Sequence, residues 1–252
     1  MSDQAPLPPS PPSLGSPGSP GSPRLPWFDP RQVPVVSTGA HLPAVPSHYL
    51  SALALRLRFT QDLPWQVDVL AERPFTERAS SQAAVLIAVV MRERPTLLLT
   101  QRTLQLSTHA GQIAFPGGKR DEADTDAACT ALREAHEEIG LEARHVEVLG
   151  ALPTYVTGTA FVLTPVVALV TADTELKPNA DEVSEVFEVP LDFLMNPTHH
   201  RKHRVQWEGV DREWFSMPYN DAGVERFIWG ATAGMLRNLY RFLAASQTVD
   251  LG

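Results

Sequence analysis

The first chemistry visible in this chain is a set of closely spaced carboxylates. Glu134, Glu137 and Glu138 fall within the stretch Arg133-Glu134-Ala135-His136-Glu137-Glu138-Ile139-Gly140-Leu141. Residues three and four apart share a helix face, so these side chains are placed to project together. They repel one another, and Arg133 is the adjacent base, with no Lys in the segment to interleave. A divalent cation relieves such repulsion, and hard oxygen ligands suit Mg²⁺ or Mn²⁺. The alternative for this pattern taken alone is an ordinary acidic helix surface. The neighbouring Phe115-Pro116-Gly117-Gly118 favours the metal reading, because its glycines permit a tight turn and a close backbone approach to a ligand. Cations on such a face can neutralise a polyanionic substrate and lower the pKa of a bound water.

These residues need a scaffold, and the hydrophobic pattern supplies one. Ala83 to Met91 and Thr96 to Thr100 read as strands separated by the turn Glu93-Arg94-Pro95. Asp126 to Ile139 reads as the helix carrying the acids, closed by Gly140 in a left-handed cap. Val146 to Leu152, Phe161 to Thr171 and Val183 to Val189 are further strands. Val205 to Glu208 and Glu213 to Met217 suggest a hairpin turning near Gly209. Ala231 to Ala244 is a helix with Met235, Leu236, Leu239 and Leu243 on its apolar face. Upstream, Ser47 reads as the N-cap of a helix that carries Tyr49, Leu50, Leu53 and Leu57 and ends near Thr60. This mixture predicts an α+β fold with α/β/α layers. Three segments follow: a disordered Pro-, Gly- and Ser-rich tail over 1–24, an extended arm with the first helix over 25–80, and a catalytic domain over 81–246.

Composition limits the classes of function. The 252 residues support one sizeable domain, and 43% hydrophobic content supports a core. The formal net charge of −8 disfavours non-specific nucleic-acid binding and a membrane-surface role. One cysteine, Cys129, excludes an internal disulfide framework. No signal-peptide pattern and no apolar run of spanning length is expected, so the reading is soluble, intracellular and cytoplasmic. The basic run His199-His200-Arg201-Lys202-His203-Arg204 reads as a solvated loop before a strand, or alternatively as a phosphate-binding flap.

The stretch Gly118 to Leu141 resembles the Nudix box, Gly-x5-Glu-x7-Arg-Glu-U-x-Glu-Glu-x-Gly-U with U aliphatic. Arg133, Glu134, Glu137, Glu138, Gly140 and Leu141 match. The spacing from Gly118 to Arg133 is one residue longer than the general pattern, Ala135 is small, and the first Glu has no exact counterpart, Asp124 being the nearest acid. Leu98-Leu99-Thr100-Gln101-Arg102 followed by His109-Ala110-Gly111-Gln112-Ile113-Ala114-Phe115-Pro116-Gly117-Gly118 resembles the signature upstream of the box in coenzyme A pyrophosphatases. Ser107 stands where that signature has Arg.

The resemblance implies a Nudix fold, a mixed β-sheet sandwiched between helices. It also implies metal-dependent hydrolysis of a phosphoanhydride in coenzyme A or a short acyl derivative. The alternatives are another nucleoside diphosphate derivative, such as ADP-ribose, and a non-catalytic binding module. By resemblance the metal ligands are Gly118, through its carbonyl, with Glu134, Glu137 and Glu138. Arg133 orients a box carboxylate. The general base is a box Glu or a carboxylate from a later loop, where Glu182 and Glu185 fall, and Glu185 is counted with Arg133, Glu137 and Glu138 among the catalytic residues. Arg102, His109, Gly111, Phe115 and Gly117 are expected to bind substrate. The expected partner is a small molecule, with a homodimer left open.

Overall fold

The structure is a computed structural model that describes residues 29–75, 79–104, 111–207 and 209–248. The expected tail over 1–24 and His109 therefore lie outside the described residues.

In chain order the first elements are strand β1 (Val35–Thr38), helix α1 (Ala52–Thr60), and strands β2 (Ser81–Val90), β3 (Thr96–Arg102), β4 (Ile113–Ala114) and β5 (Gly117–Lys119). Helix α2 (Ala127–Ile139) carries the acidic residues. Strands β6 (Val146–Ala151), β7 (Tyr155–Val156), β8 (Phe161–Val170) and β9 (Val183–Pro190) follow. The remainder is helix α3 (Leu191–Leu194), strands β10 (Arg201–Trp207), β11 (Val210–Asp221) and β12 (Val224–Trp229), and helix α4 (Gly230–Ala244).

The main sheet is mixed and runs β4-β3-β2-β8-β6, with β5 also paired to β2, β7 to β8 and β9 to β3. Its centre is the parallel pair β2–β8, in register from Ser81↔Phe161 to Val90↔Val170. Strands buried on both faces have no polar side to show, which explains the unbroken apolar runs in the sequence. Ala84, Leu86, Ala88 and Val90 face one core with Ala131, Ala135 and Ile139 of α2. Val85, Ile87 and Val89 face the other with Leu55 of α1 and Leu236, Leu239 and Leu243 of α4. Side chains alternate across a strand, so β2 alone contributes to both layers. The layered α+β fold matches the expectation.

A second sheet, β1-β10-β11-β12, is antiparallel throughout. The hairpin at Gly209 is present but longer than expected on both sides. The basic run is not a solvated loop: Arg201 to Arg204 lie in β10, with His203 buried between Val33 O and Ser216 Oγ. Lys202 and Arg204 instead pair with Glu213 across the hairpin. Within this stretch His203 is buried, while Arg201 and Arg204 are exposed and Lys202 is partly so.

Two further differences concern the arm and its helix. The N-cap is Ser51, whose hydroxyl accepts from Ala54 N, while Ser47 opens a single 3-10 turn. The arm is built into the body, since β1 pairs with β10 and Val45, Leu50 and Leu55 join the core around α4. Helix α4 is buried on nearly every side, including Arg237, Asn238 and Tyr240. The arm covers that polar side: Asp68 pairs with Arg237, Asn238 holds the backbone of Asp68 and Val69, and Tyr240 donates to Pro43 O. No helix among the described residues is long and apolar enough to cross a membrane.

Candidate active site

Helix α2 begins at Asp126, whose side chain accepts from Cys129 N, and ends at Gly140 with φ of 68°. These caps fix the length of the helix and therefore the direction of its acids. Its apolar side, Ala131, Ala135 and Ile139, fastens it to the main sheet. Glu134, Glu137 and Glu138 are left along the edge that meets β5.

The contact between helix and strand is close. A Cβ on Gly118 would collide with the Glu134 carboxylate. A Cβ on Gly117 would collide with the backbone of Ala84 and Val85 in β2. The glycines therefore allow the protein to approach itself, with β5 pressed between β2 and α2. Gly117 N–H donates to Glu138 Oε2 at 3.1 Å. Gly117, expected at substrate, is thus seen holding a carboxylate.

The acids differ in environment. Glu138 is 4% exposed, and burial, partly offset by the Gly117 N–H and by Arg102, raises its pKa to about 7. Glu134 is half-buried and also raised, burial outweighing its pairing with Arg133. Glu137 is exposed and pairs with Arg133 at 3.1 Å.

Arg133 organises the cluster. It donates to Asp124 through Nε and Nη2 at 3.1 and 2.9 Å, to Glu134 at 3.0 Å, to Glu137 at 3.1 Å and to Lys119 O at 2.9 Å. Asp124 is 4% exposed, and its hydrogen bonds from Arg133 hold it well below the ordinary carboxylate range. The sequence offered Asp124 merely as the nearest acid in the longer loop. In the fold it is the buried anchor of Arg133, a role that needs a carboxylate and not a particular residue count.

Arg102 ends β3 with Nη1 at 3.5 Å from Glu138 Oε1, and its buried Nε has no hydrogen-bond partner among the described residues. Thus the upstream motif and the box meet in space. Gly111 takes φ of 70° and donates from its N–H to Arg102 O, a turn position beside Arg102. Phe115, expected at substrate, lies in the link between β4 and β5, is 3% exposed and packs within the core around α4.

Glu185 does not join the box acids. Both of its oxygens accept from Arg226 at 2.6 Å, and that pairing lowers its pKa. Glu182 is the later carboxylate whose charge acts on both Glu134 and Glu138. Its turn is tied to the end of the box helix by Asn179 N donating to Glu138 O at 2.8 Å. Position along the chain could not separate Glu182 from Glu185; strand register does, since Glu185 lies in β9 opposite Gln101 and Glu182 precedes the strand.

The donor chemistry of Glu134, Glu137, Glu138 and the Gly118 carbonyl is all hard oxygen, which fits Mg²⁺ or Mn²⁺. The contact of Gly118 with the Glu134 carboxylate leaves a cradle with no room for a side chain. Among the described residues no three acids, histidines or cysteines already converge as a metal cluster, as Glu134 and Glu137 are turned to Arg133.

Comparison with known proteins agrees with this geometry. The NUDIX domain pattern matches residues 80–208. An uncharacterized Nudix hydrolase, NudL, of Pectobacterium atrosepticum is 41% identical over 162 residues, covering 63% of this chain and 80% of its own. The NudL of Yersinia pestis (strain Pestoides F) is 38% identical over 182 residues, 72% of this chain and 89% of its own. Among solved structures, the Nudix hydrolase RenU of M. smegmatis is 28% identical, covers 48% of this chain and 77% of its own, and has a TM-score of 0.38. With its box acids set on a capped helix against a glycine strand, this chain belongs to the Nudix hydrolase family, enzymes that hydrolyse phosphoric anhydrides.

Proposed function

We propose that the protein hydrolyses the pyrophosphate bond of coenzyme A or a short acyl-coenzyme A, giving 3′,5′-ADP and 4′-phosphopantetheine or its acyl form. The observation that carries this reading is the upstream signature, Leu98 to Arg102 and His109 to Gly118, together with the 3.5 Å approach of its Arg102 to Glu138 of the box. Gly118, Glu134, Glu137 and Glu138 would hold Mg²⁺ or Mn²⁺. When bound, the cation supplies charge neutralisation and a more acidic water.

The chain's own residues do the rest. Asp124 fixes Arg133, and Arg133 orients Glu134 and Glu137. Arg102 offers a cation beside Glu138 for a substrate phosphate. Glu182 accepts the proton as the water oxygen bonds to phosphorus and the bridging P–O bond breaks. A second reading, ADP-ribose or a related nucleoside diphosphate derivative, is favoured by Ser107, which removes the signature's Arg.

A hydrolysis screen with Mg²⁺ and with Mn²⁺ separates them, comparing coenzyme A, acetyl-coenzyme A, ADP-ribose and a diadenosine polyphosphate, with products resolved by mass. Release of 3′,5′-ADP from the coenzymes, with the other substrates slow, is the expected result. Preferred cleavage of ADP-ribose overturns the coenzyme assignment and leaves the box chemistry standing.

A further inference from the structure

Arg226 lies on β12, outside the box, and is 6% exposed. Besides its two bonds to Glu185, it reaches Asp221 Oδ2 through Nε and Nη2 at 3.2 and 3.0 Å. Its Nη1 is 3.5 Å from Gln101 Oε1, and its guanidinium lies over Phe187 with the ring centroid at 4.4 Å. One buried side chain thus ties the second sheet to β9 and β3 of the first. A planar fork of this kind fixes geometry as well as charge.

The place of this tie matters. Gln101 and Glu185 are partners in the β3–β9 register, and that register shifts at the next residue, where Arg102 pairs with Val183. The functional side chains begin at that shift. Arg102 leaves β3 toward Glu138. Thr103 N donates to Glu182 O at 3.0 Å, Thr103 Oγ1 to Asp181 O at 3.3 Å, and Ser184 Oγ to Gln101 O at 3.0 Å. The same turn is bonded to the box helix at Glu138 O. Arg102 and Glu182 therefore stand on one short backbone ladder, with the box helix at one end and Arg226 at the other.

We propose that Arg226 is a positioning residue of the hydrolytic site: by gripping Glu185 and Gln101 across the two sheets, it holds Arg102 and the Glu182 turn in register with the box helix. Glu185 is then the handle of this clamp and does not touch substrate. The inference rests on the pyrophosphatase reading for its catalytic consequence, and on the backbone ladder alone for its structural one.

The test uses full-length Arg226→Gln and Glu185→Gln, each alone and combined with Glu182→Gln. Glu185→Gln keeps the Arg226–Asp221 pair, so it remains informative if Arg226→Gln does not fold. Steady-state rates on coenzyme A with Mg²⁺ are measured beside amide hydrogen exchange of substrate-free protein. A lost positioning contact is expected to lower kcat by about tenfold or more while KM changes by less than about threefold. The Glu182→Gln loss should shrink in the clamp-deficient background, because a displaced base has less left to lose. Exchange should speed up by about tenfold over 101–103 and 181–185 and stay unchanged in β6, which Arg226 does not touch. Additive kinetic losses, or unchanged exchange in those two segments, overturn the clamp. If the wild type cleaves none of the coenzymes, the substrate reading fails by itself, and the exchange result alone decides for or against the clamp.

Discussion

At the scale of single residues, the site is governed by which carboxylates are dry and which are paired. Glu138 is the driest of the box acids, and its raised pKa has a direction that can be tested. Between the ordinary glutamate value of about 4.5 and about 7, the metal-free folded state keeps a proton that the unfolded chain has released. The folded state then binds more protons than the unfolded one, so stability falls as pH rises through that window. Thermal midpoints of chelator-treated protein should decline over this range relative to those of Glu138→Gln, which has no proton to lose. The same variant should retain its fold and lose several orders of magnitude in turnover. A folded Glu138→Gln enzyme with near-normal kcat would remove Glu138 from the catalytic set.

At the scale of elements, the site depends on how closely β5 meets α2. Gly118→Ala puts a methyl group where the Glu134 carboxylate lies. The strand is held on its other side by the pairs Ala83↔Lys119, Ala84↔Gly118 and Val85↔Gly117, so it cannot retreat. Glu134 must move instead, and Arg133 with it. We expect Gly118→Ala to stay folded by circular dichroism while apparent Mg²⁺ affinity, read from activation curves, weakens by about tenfold or more. Wild-type activation by Mg²⁺ in this variant would mean that the close approach serves packing alone.

At the scale of the whole molecule, His200 marks the seam between the second sheet and α4. It is fully buried, its Nε2–H donates to Leu194 O at 2.7 Å, and its Nδ1 accepts from Arg237 at 3.1 Å. The contact with Arg237 requires the neutral ring, and burial lowers the pKa of His200 to about 4. The unfolded chain takes up a proton near the ordinary value of about 6.5, so this stability is present above that value and is lost as pH falls toward 4. The loss is on the order of 3 kcal/mol. His200→Gln should flatten the acid limb of a denaturation series between those values, and an unchanged acid limb would mean that the seam does not titrate there.

Much of this was legible in the chain. Local rules set the box helix from Asp126 to Gly140, because its caps and its apolar face are written within it. Ala83 to Met91 and Phe161 to Thr171 were equally plain as strands, since an unbroken apolar run marks burial on both faces, but their parallel pairing at the centre of the sheet was not. Long-range pairing decided the rest. His203 points inward and Lys202 outward only because β10 pairs with β11 and β1, and no local pattern in a basic run announces that. Phe115 and Glu185 were expected at the site by position, yet the first packs in the core around α4 and strand register sets the second against Arg226. Asp124 stands six residues after Gly118, where the box has its first acid, but one residue further than usual from Arg133, which it reaches because the loop folds back on the helix. The sequence by itself determined the acids, the glycines and the helix that presents them, since these depend on neighbours within a few residues. Which carboxylate faces the cluster and which is held by a distant arginine was decided by tertiary structure alone, because the partners are brought together by sheet register across the fold.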